Sequence, residues 1–367
     1  MSRRDDEKWM CECLRLAKKG GRDVSPNPQV GAVIVRNGKV IGKGYHREYG
    51  GSHAEINAIR DGQRRHSDLK GATLYVNLEP CVHYGKTPPC VDAIIRAGIT
   101  RVVAGMSDPN PRVAGKGFRS LRVSGLKVVK GVLRKEAEQL NEKFSKYISR
   151  QLPFVALKVA QTRDGFIAHT DGSSRWITSR ASRSLVHRLR SEYDAVLIGA
   201  KTARMDNPRL TVRHVKGSSP MRVVIDGKLS TPQNAHLFSD RLRTRTLVFT
   251  GNGSLGKKKK LRAKGVDIVT LSARNGKLSI KRILQILAER GVASLLVEGG
   301  RDIFHQFLSQ RLADKIYMFV SPKRFGRGIP AFGDAEGTFR MSRRILKKIG
   351  PDTYIEGNVS YLEGWMN

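Results

Sequence analysis

His53, Glu55, Cys81 and Cys90 are of the types and spacing needed for metal-assisted chemistry. One imidazole and two thiolates suit a tetrahedral zinc whose fourth position stays open to water, whereas four protein ligands would make a closed structural site. Glu55 follows the first ligand by two residues. A carboxylate there can take up and return the proton of a water molecule without binding the metal itself. The full pattern reads His53-Ala54-Glu55, then Pro80-Cys81, then Pro88-Pro89-Cys90. The residues Val82 to Pro89 lie between the two cysteines, so both ends of that loop meet the metal and its middle is held over the site. It carries His83 and Lys86, each able to contact a polar or anionic substrate.

These residues need elements to position them. Residues 7–19 read as an amphipathic helix ended by Gly20-Gly21. Ser25-Pro26-Asn27-Pro28 fixes an extended path into a strand over 32–35, and Asn37-Gly38 is a hairpin turn into a return strand over 40–46. A helix then begins near His53. Asn27 serves as a turn residue or, held by its two prolines beside the metal, reads the edge of a base. A buried strand over 72–78 delivers Cys81. Cys90 opens a helix whose N-terminal dipole is expected to favour its thiolate. A strand over 101–105 and Asp108-Pro109-Asn110-Pro111 follow, and a helix over 135–147 closes the half. Alternating strands and helices of this kind predict a layered α/β domain over 1–147.

After the break at Leu152-Pro153 the alternation resumes, which predicts a second domain over 153–367. Strands are expected at 154–160, 195–199, 221–225, 246–249 and 266–271, and a helix at 280–290. Ser294 to Gly300 reads as strand, tight turn and helix start. A glycine pair opening a helix lets backbone N–H groups approach a phosphate, although a plain strand-to-helix turn has the same residues. The basic run from Arg340 to Lys348 reads as a solvated face.

The 68 lysines and arginines outnumber 32 acidic residues, giving a net charge of +36. That balance raises a nucleic-acid partner, but the basic residues are spread along the chain. Only 7% of residues are aromatic, which leaves few stacking platforms for bases. Phosphorylated small-molecule ligands fit better, and no nucleic acid is expected. Of four cysteines, two are assigned to metal, and Cys11 and Cys13 are expected half-buried in the first helix; no secreted disulfide framework is present. No stretch approaches the ~20 apolar residues of a membrane span, so no membrane partner is expected and the expected location is cytoplasmic.

Taken together the motifs resemble a known family. His53-x-Glu55 with two cysteine ligands is similar to the signature of zinc nucleobase deaminases, though those usually place two residues between the cysteines. Pro-Asn27-Pro-x-Val-Gly, Leu78-Glu79-Pro80-Cys81-x-His83-x-Gly85-Lys86-Thr87-Pro88-Pro89-Cys90 and Asp108-Pro-Asn110-Pro narrow the resemblance. They look like the deaminase half of the bifunctional riboflavin-biosynthesis deaminase–reductases. In the second half, Lys158, Asp164-Gly165, Ser174-x-Trp176-Ile177-Thr178-Ser179, Thr202, Asp206-x-Pro208-x-Leu210-Thr211-x-Arg213 and Val297-Glu298-Gly299-Gly300 resemble the reductase half.

The resemblance implies a cytidine-deaminase-like three-layer domain followed by a dihydrofolate-reductase-like domain, with zinc and NADPH as cofactors. It implies deamination of a phosphorylated diaminopyrimidinone, then reduction of its ribosyl group to ribityl, by a homo-oligomer. Asn27, His46, His83, Lys86, Asp108 and Asn110 would bind the deaminase substrate. Ala160, Trp176, Thr202, Asp206 and Gly300 would bind NADPH, and Ser174, Arg190, Leu210, Arg213 and Glu298 the reductase substrate. Lys158 and Asp206 would stand nearest the hydride transfer. Two positions depart from the family: Asn207 replaces an aspartate, and Arg163 adds a cation expected to alter the charge beside the cofactor. Alternatives are a deaminase with a degenerate second half, or a nucleic-acid-binding zinc deaminase.

Overall fold

The computed structural model describes residues 2–66, 68–82, 88–111, 113–174, 176–274 and 276–362. The chain divides into two compact units, Met1–Leu152 and Pro153–Asn367.

In the first unit, α1 (Arg3–Ala17) starts at a capping box in which Ser2 and Asp5 satisfy each other's backbone N–H groups. Two strands follow, β1 (Gly31–Arg36) and β2 (Lys39–Tyr45), then α2 (Ala54–His66) and β3 (Thr73–Leu78). Next come α3 (Cys90–Arg96), β4 (Arg101–Met106), α4 (Lys116–Val123) and β5 (Lys127–Lys130). The helices α5 (Arg134–Leu140) and α6 (Glu142–Arg150) end the unit. The sheet order is β2-β1-β3-β4-β5, antiparallel at the two β1 pairings and parallel from β3 to β5.

Two glycines show how the layers form. Gly31 faces α1 so closely that a Cβ would lie 2.1 Å from the Cys13 carbonyl oxygen. Gly44, paired with Ala32 and hence on the opposite face, would put a Cβ 2.4 Å from the Ala58 nitrogen in α2. Helices therefore cover both faces of a sheet whose core includes Val33, Ile34, Leu74, Tyr75 and Val103. The single helix expected over 135–147 is two helices meeting at Asn141. Its amide side chain leaves the helix pattern, accepting from Gln29 N–H at 2.8 Å and donating to Gln29 O at 3.1 Å. Cys11 is exposed and Cys13 buried, where both were expected half-buried; neither is in a disulfide.

The second unit begins with β6 (Phe154–Gln161), a short β7 (Phe166–Ala168), α7 (Arg180–Glu192), β8 (Ala195–Gly199) and α8 (Ala200–Asp206). It continues with β9 (Met221–Ile225), α9 (His236–Ser239), β10 (Thr246–Thr250), α10 (Leu255–Ala263) and β11 (Asp267–Thr270). A hairpin of β12 (Ala273–Arg274) and β13 (Lys277–Leu278) precedes α11 (Ile280–Glu289), β14 (Ser294–Gly299) and α12 (Arg301–Ser309). The remaining strands are β15 (Lys315–Val320), β16 (Ile329–Pro330), β17 (Phe339–Ile349) and β18 (Asp352–Tyr361). The large sheet runs β11-β10-β9-β8-β14-β6-β15-β18-β17. Its strands are parallel as far as β15, and an antiparallel hairpin completes it. The basic run 340–348 is a solvated face, as expected, and forms most of an edge strand, a position where its exposed cations discourage pairing with another chain. No helix among the described residues is long and apolar enough to cross a membrane.

Candidate functional site

In the first unit, the end of one strand and the starts of two helices converge. His53 precedes α2, Glu55 lies in its first turn, Cys81 follows β3 and Cys90 opens α3. One donor atom each from His53, Cys81 and Cys90 lie within 4.8 Å of one another. His53 Nδ1 is 3.2 Å from Cys90 Sγ and 3.5 Å from Cys81 Sγ. The set is one imidazole and two thiols, three of the four ligands of a tetrahedral ion, which fits zinc. The Cys90 backbone N–H donates to Cys81 Sγ at 3.4 Å, so the first-turn amide of α3 serves Cys81 rather than Cys90 itself. The hydrogen bond from the Cys90 thiol holds the Cys81 thiol below its ordinary pKa, and the same pairing with burial pushes Cys90 up. Glu55 is 4% exposed, and its burial raises the carboxyl pKa against the pull of His53. That favours holding a proton between the two halves of a proton transfer.

Asn27 and His46 stand beside this cluster. Asn27 Nδ2 is 3.1 Å from His46 Nε2, and His46 Nδ1 is 3.1 Å from the Ser52 carbonyl oxygen. The His46 and His53 rings meet edge to face at 5.6 Å. Burial lowers the His46 pKa, so its ring stays neutral and able to accept from the Asn27 amide. Sequence reasoning missed Asn57. Its amide donates to Tyr45 O at 2.9 Å and Ser52 O at 3.2 Å, pinning the turn that delivers His53. The signal was available, since Asn57 lies one helical turn beyond His53. Asp108 and Asn110 share the half-buried turn after β4, where Asp108 Oδ1 accepts the Asn110 N–H at 2.8 Å. His83 and Lys86 lie outside the described residues.

In the second unit, the expected residues line one cleft of about 920 Å³: Lys158, Ala160, Ser174, Trp176, Arg190, Thr202, Asp206, Leu210, Arg213, Glu298 and Gly300. It opens at the carboxyl ends of β8, β9 and β14, where parallel sheets place their ligands. The β14–β8 register shifts around Glu298, which re-aims that side chain. Arg190 grips it with Nε at 2.5 Å and Nη2 at 2.8 Å, and Lys158 Nζ is 3.6 Å away. Burial alone would raise the Glu298 pKa, but Arg190 and Lys158 outweigh it and hold the carboxyl at about 2. Burial, aided by Arg190, lowers the Lys158 pKa against the attraction of Glu298. Lys158 therefore gives up a proton more readily than an ordinary lysine.

The remaining positions differ in kind. Trp176 is 62% exposed under the Arg183 guanidinium, 4.5 Å from the ring centroid, so it is a surface platform and not core. Leu210 is buried among Val196, Ile198 and Val224, at φ 52°. Ser174 Oγ lies 3.5 Å from Asp206 Oδ1. Gly300, at φ 90°, sits so close to Thr202 that a Cβ would lie 3.2 Å from its Oγ1. Among the described residues no carboxylate pairs with Arg213, whose Nη1 donates to Thr211 Oγ1 at 2.7 Å. His187, one turn before Arg190 on α7, was not anticipated although both fall on one helix face. It is buried in the cleft wall with Nδ1 unpartnered, edge to face with His214 at 4.8 Å. Arg163, contrary to expectation, is exposed and absent from the cleft lining.

Residues 3–106 match the family model of the cytidine and deoxycytidylate deaminase zinc-binding region, and residues 153–355 match that of the RibD C-terminal domain. The chain is 42% identical over 361 residues to the riboflavin biosynthesis protein RibD of Aquifex aeolicus (strain VF5), covering 97% of this chain and 99% of that protein. The chain belongs to the RibD family. A crystal structure from Thermotoga maritima, described as a diaminohydroxyphosphoribosylaminopyrimidine deaminase/5-amino-6-(5-phosphoribosylamino)uracil reductase, is 39% identical. It covers 98% of this chain and 99% of that one at a TM-score of 0.85. Acinetobacter baumannii RibD is 32% identical, covers 98% of this chain and 100% of that one, and gives a TM-score of 0.87. As a RibD family member the chain is a bifunctional enzyme of riboflavin biosynthesis. It pairs a zinc-binding, cytidine-deaminase-like unit with a reductase unit of the NADPH-dependent type.

Proposed function

We propose that the first unit hydrolyses an amino group from a diaminopyrimidinone carrying a phosphoribosylamino substituent, and that the second reduces the ribosyl group of the resulting uracil to ribityl. The observation that carries this reading is the convergence of His53, Cys81 and Cys90 beside a buried Glu55. Zinc held by those three side chains would make water nucleophilic near neutral pH. Glu55 accepts the water's proton and returns it to the amino group, which leaves as ammonia while oxygen takes its place. Asn27, oriented by His46, presents its amide to the pyrimidine edge, and Asp108 and Asn110 border the same ring. His83 and Lys86 are assigned to the substrate on the family pattern.

In the second unit, Trp176, Thr202, Ala160 and the backbone at Gly300 hold NADPH, which supplies the hydride. Ser174, Arg213 and the backbone of Leu210 hold the substrate, with Arg213 set against its phosphate. Arg190 serves by fixing Glu298, which in turn orients Lys158. Lys158, with its lowered pKa, supplies the proton that accompanies hydride transfer, and Asp206 orients the reacting sugar through Ser174. The same reading has the units begin and end near residues 147 and 153, a cytoplasmic location and a homo-oligomer, for which sedimentation of the purified enzyme is the check.

The test is an assay on zinc-loaded enzyme that follows ammonia release and NADPH oxidation together, with Glu55→Gln beside the wild type. The expected result is both signals in the wild type. Both should be lost in Glu55→Gln, a fall of roughly a hundredfold or more, with NADPH oxidation restored when deaminated intermediate is supplied. Zinc-loaded wild type that releases no ammonia would sink the reading.

A further inference from the structure

Glu79 is 3% exposed and stands between the end of β3 and Cys81. Its two carboxylate oxygens accept four backbone N–H groups, all from the segment that follows β4. Oε2 takes Asp108 at 3.1 Å and Gly115 at 3.0 Å; Oε1 takes Gly117 at 2.8 Å and Phe118 at 3.2 Å. An ionised carboxylate offers about four lone-pair sites and no donor. All of them here are turned to backbone, so Glu79 has nothing left for a substrate, a proton relay or a metal.

The donors are a particular set. Asp108 begins the turn that carries Asn110, because its own carboxylate accepts the Asn110 N–H at 2.8 Å. Gly117 and Phe118 lie in the first turn of α4, whose cap residue Gly115 provides no side-chain acceptor. Glu79 supplies that acceptor from outside the helix, with its charge at the favourable end of the dipole. The approach is tight: a Cβ at Gly117 would lie 2.1 Å from the Pro80 carbonyl oxygen. One side chain therefore ties the turn carrying a metal ligand to the turn carrying two substrate-contacting candidates.

We propose that Glu79 is a positioning residue of the deaminase unit, holding the Asp108–Asn110 turn in register with Cys81 so that substrate and metal meet at a fixed separation. This rests on the deaminase reading given above. Glutamine in its place keeps the volume but turns an NH2 donor toward two N–H donors. Aspartate keeps the charge but falls one methylene short.

The experiment uses the full-length, zinc-loaded enzyme, with zinc content, deaminase kinetics and reduction of supplied deaminated intermediate measured for wild type, Glu79→Gln and Glu79→Asp. The expected result for Glu79→Gln is undiminished zinc and intact reductase activity. The deaminase kcat should fall roughly tenfold to hundredfold, and Glu79→Asp should fall between it and the wild type. An unchanged kcat overturns the proposal, and so does loss of zinc from a folded variant, which would make Glu79 a support for Cys81 alone. If Glu79→Gln does not fold, hydrogen exchange on the wild-type holoenzyme decides. Asp108, Gly115, Gly117 and Phe118 amides exchanging as slowly as those of β3 and β4 bear it out, and fast exchange overturns it. Wild type without ammonia release defeats the deaminase reading instead, a result visible before any variant is made.

Discussion

The metal cluster of the first unit and the cleft of the second solve different positioning problems. Three donor atoms within 4.8 Å require particular elements at particular points, and the chain supplies them between positions 53 and 90. The cleft takes its lining from residues between 158 and 329, largely at strand ends and helix starts. Its most tightly organised feature is ionic: Glu298 clamped by Arg190 with Lys158 beside it. The metal cluster concentrates its chemistry in residue types, whereas the cleft disperses it over backbone geometry and one buried charge network. The first should fail when a donor atom is lost. The second should fail when its charge balance is lost.

The sharpest way to break the comparison is Cys81→Ala. Removing one of three ligands leaves an imidazole and a thiolate, too few to hold zinc in an open tetrahedral site. Zinc content should fall, and ammonia release should drop on the order of a thousandfold or more. Reduction of supplied intermediate should be untouched. Metal analysis and the two assays on one preparation check this. A fall in both activities would show that the two units are not independent in the way the separate sites imply.

Glu298→Gln tests the ionic half. It leaves Arg190 and Lys158 buried without their counter-charge, and breaking a buried pair in this way costs about 3–5 kcal/mol. The second unit should unfold at lower denaturant while deamination persists. The pH dependence has a definite sign. Glu298 is held at about 2, below its ordinary 4.5, so its contribution is complete above pH 4.5 and is lost as pH falls toward 2. Wild-type stability should therefore slope downward across that window, and the Gln variant should lose that part of the slope. Denaturant titrations at several acidic pH values would show it.

The contrast also explains what could be read from the sequence. The metal cluster was legible because few residue types bind zinc and the adjacent glutamate has one evident use. Asn57 was less so, because an asparagine inside a helix declares nothing until its amide is seen on Tyr45 and Ser52. The break at Asn141 was illegible, since its partner Gln29 lies far away in the chain. The run 340–348 was legible as a solvated face but not as a strand, because Arg340, Arg343, Arg344, Lys347 and Lys348 obscure any apolar alternation; its partner β18 makes it a strand. The Glu298–Arg190 clamp lay beyond pattern reasoning, which assigned both residues to the substrate and did not foresee that they bind each other.

The smallest effect expected is that of Asn207→Asp, which restores the family's residue at the one departure that reaches the cleft. Asn207 caps α8 at φ 40°, a left-handed conformation that asparagine and aspartate both tolerate. Its side-chain oxygen accepts the His236 N–H at 2.9 Å, and a carboxylate oxygen at that place accepts the same N–H. The departure therefore exchanges one acceptor for another and removes a charge while keeping the contact to His236. Reductase kcat/KM should move by less than about threefold. A rise of a hundredfold on Asn207→Asp would mean instead that the natural chain carries an impaired reductase, and that the cleft depends on a second carboxylate beside Asp206 as strictly as the metal cluster depends on its ligands.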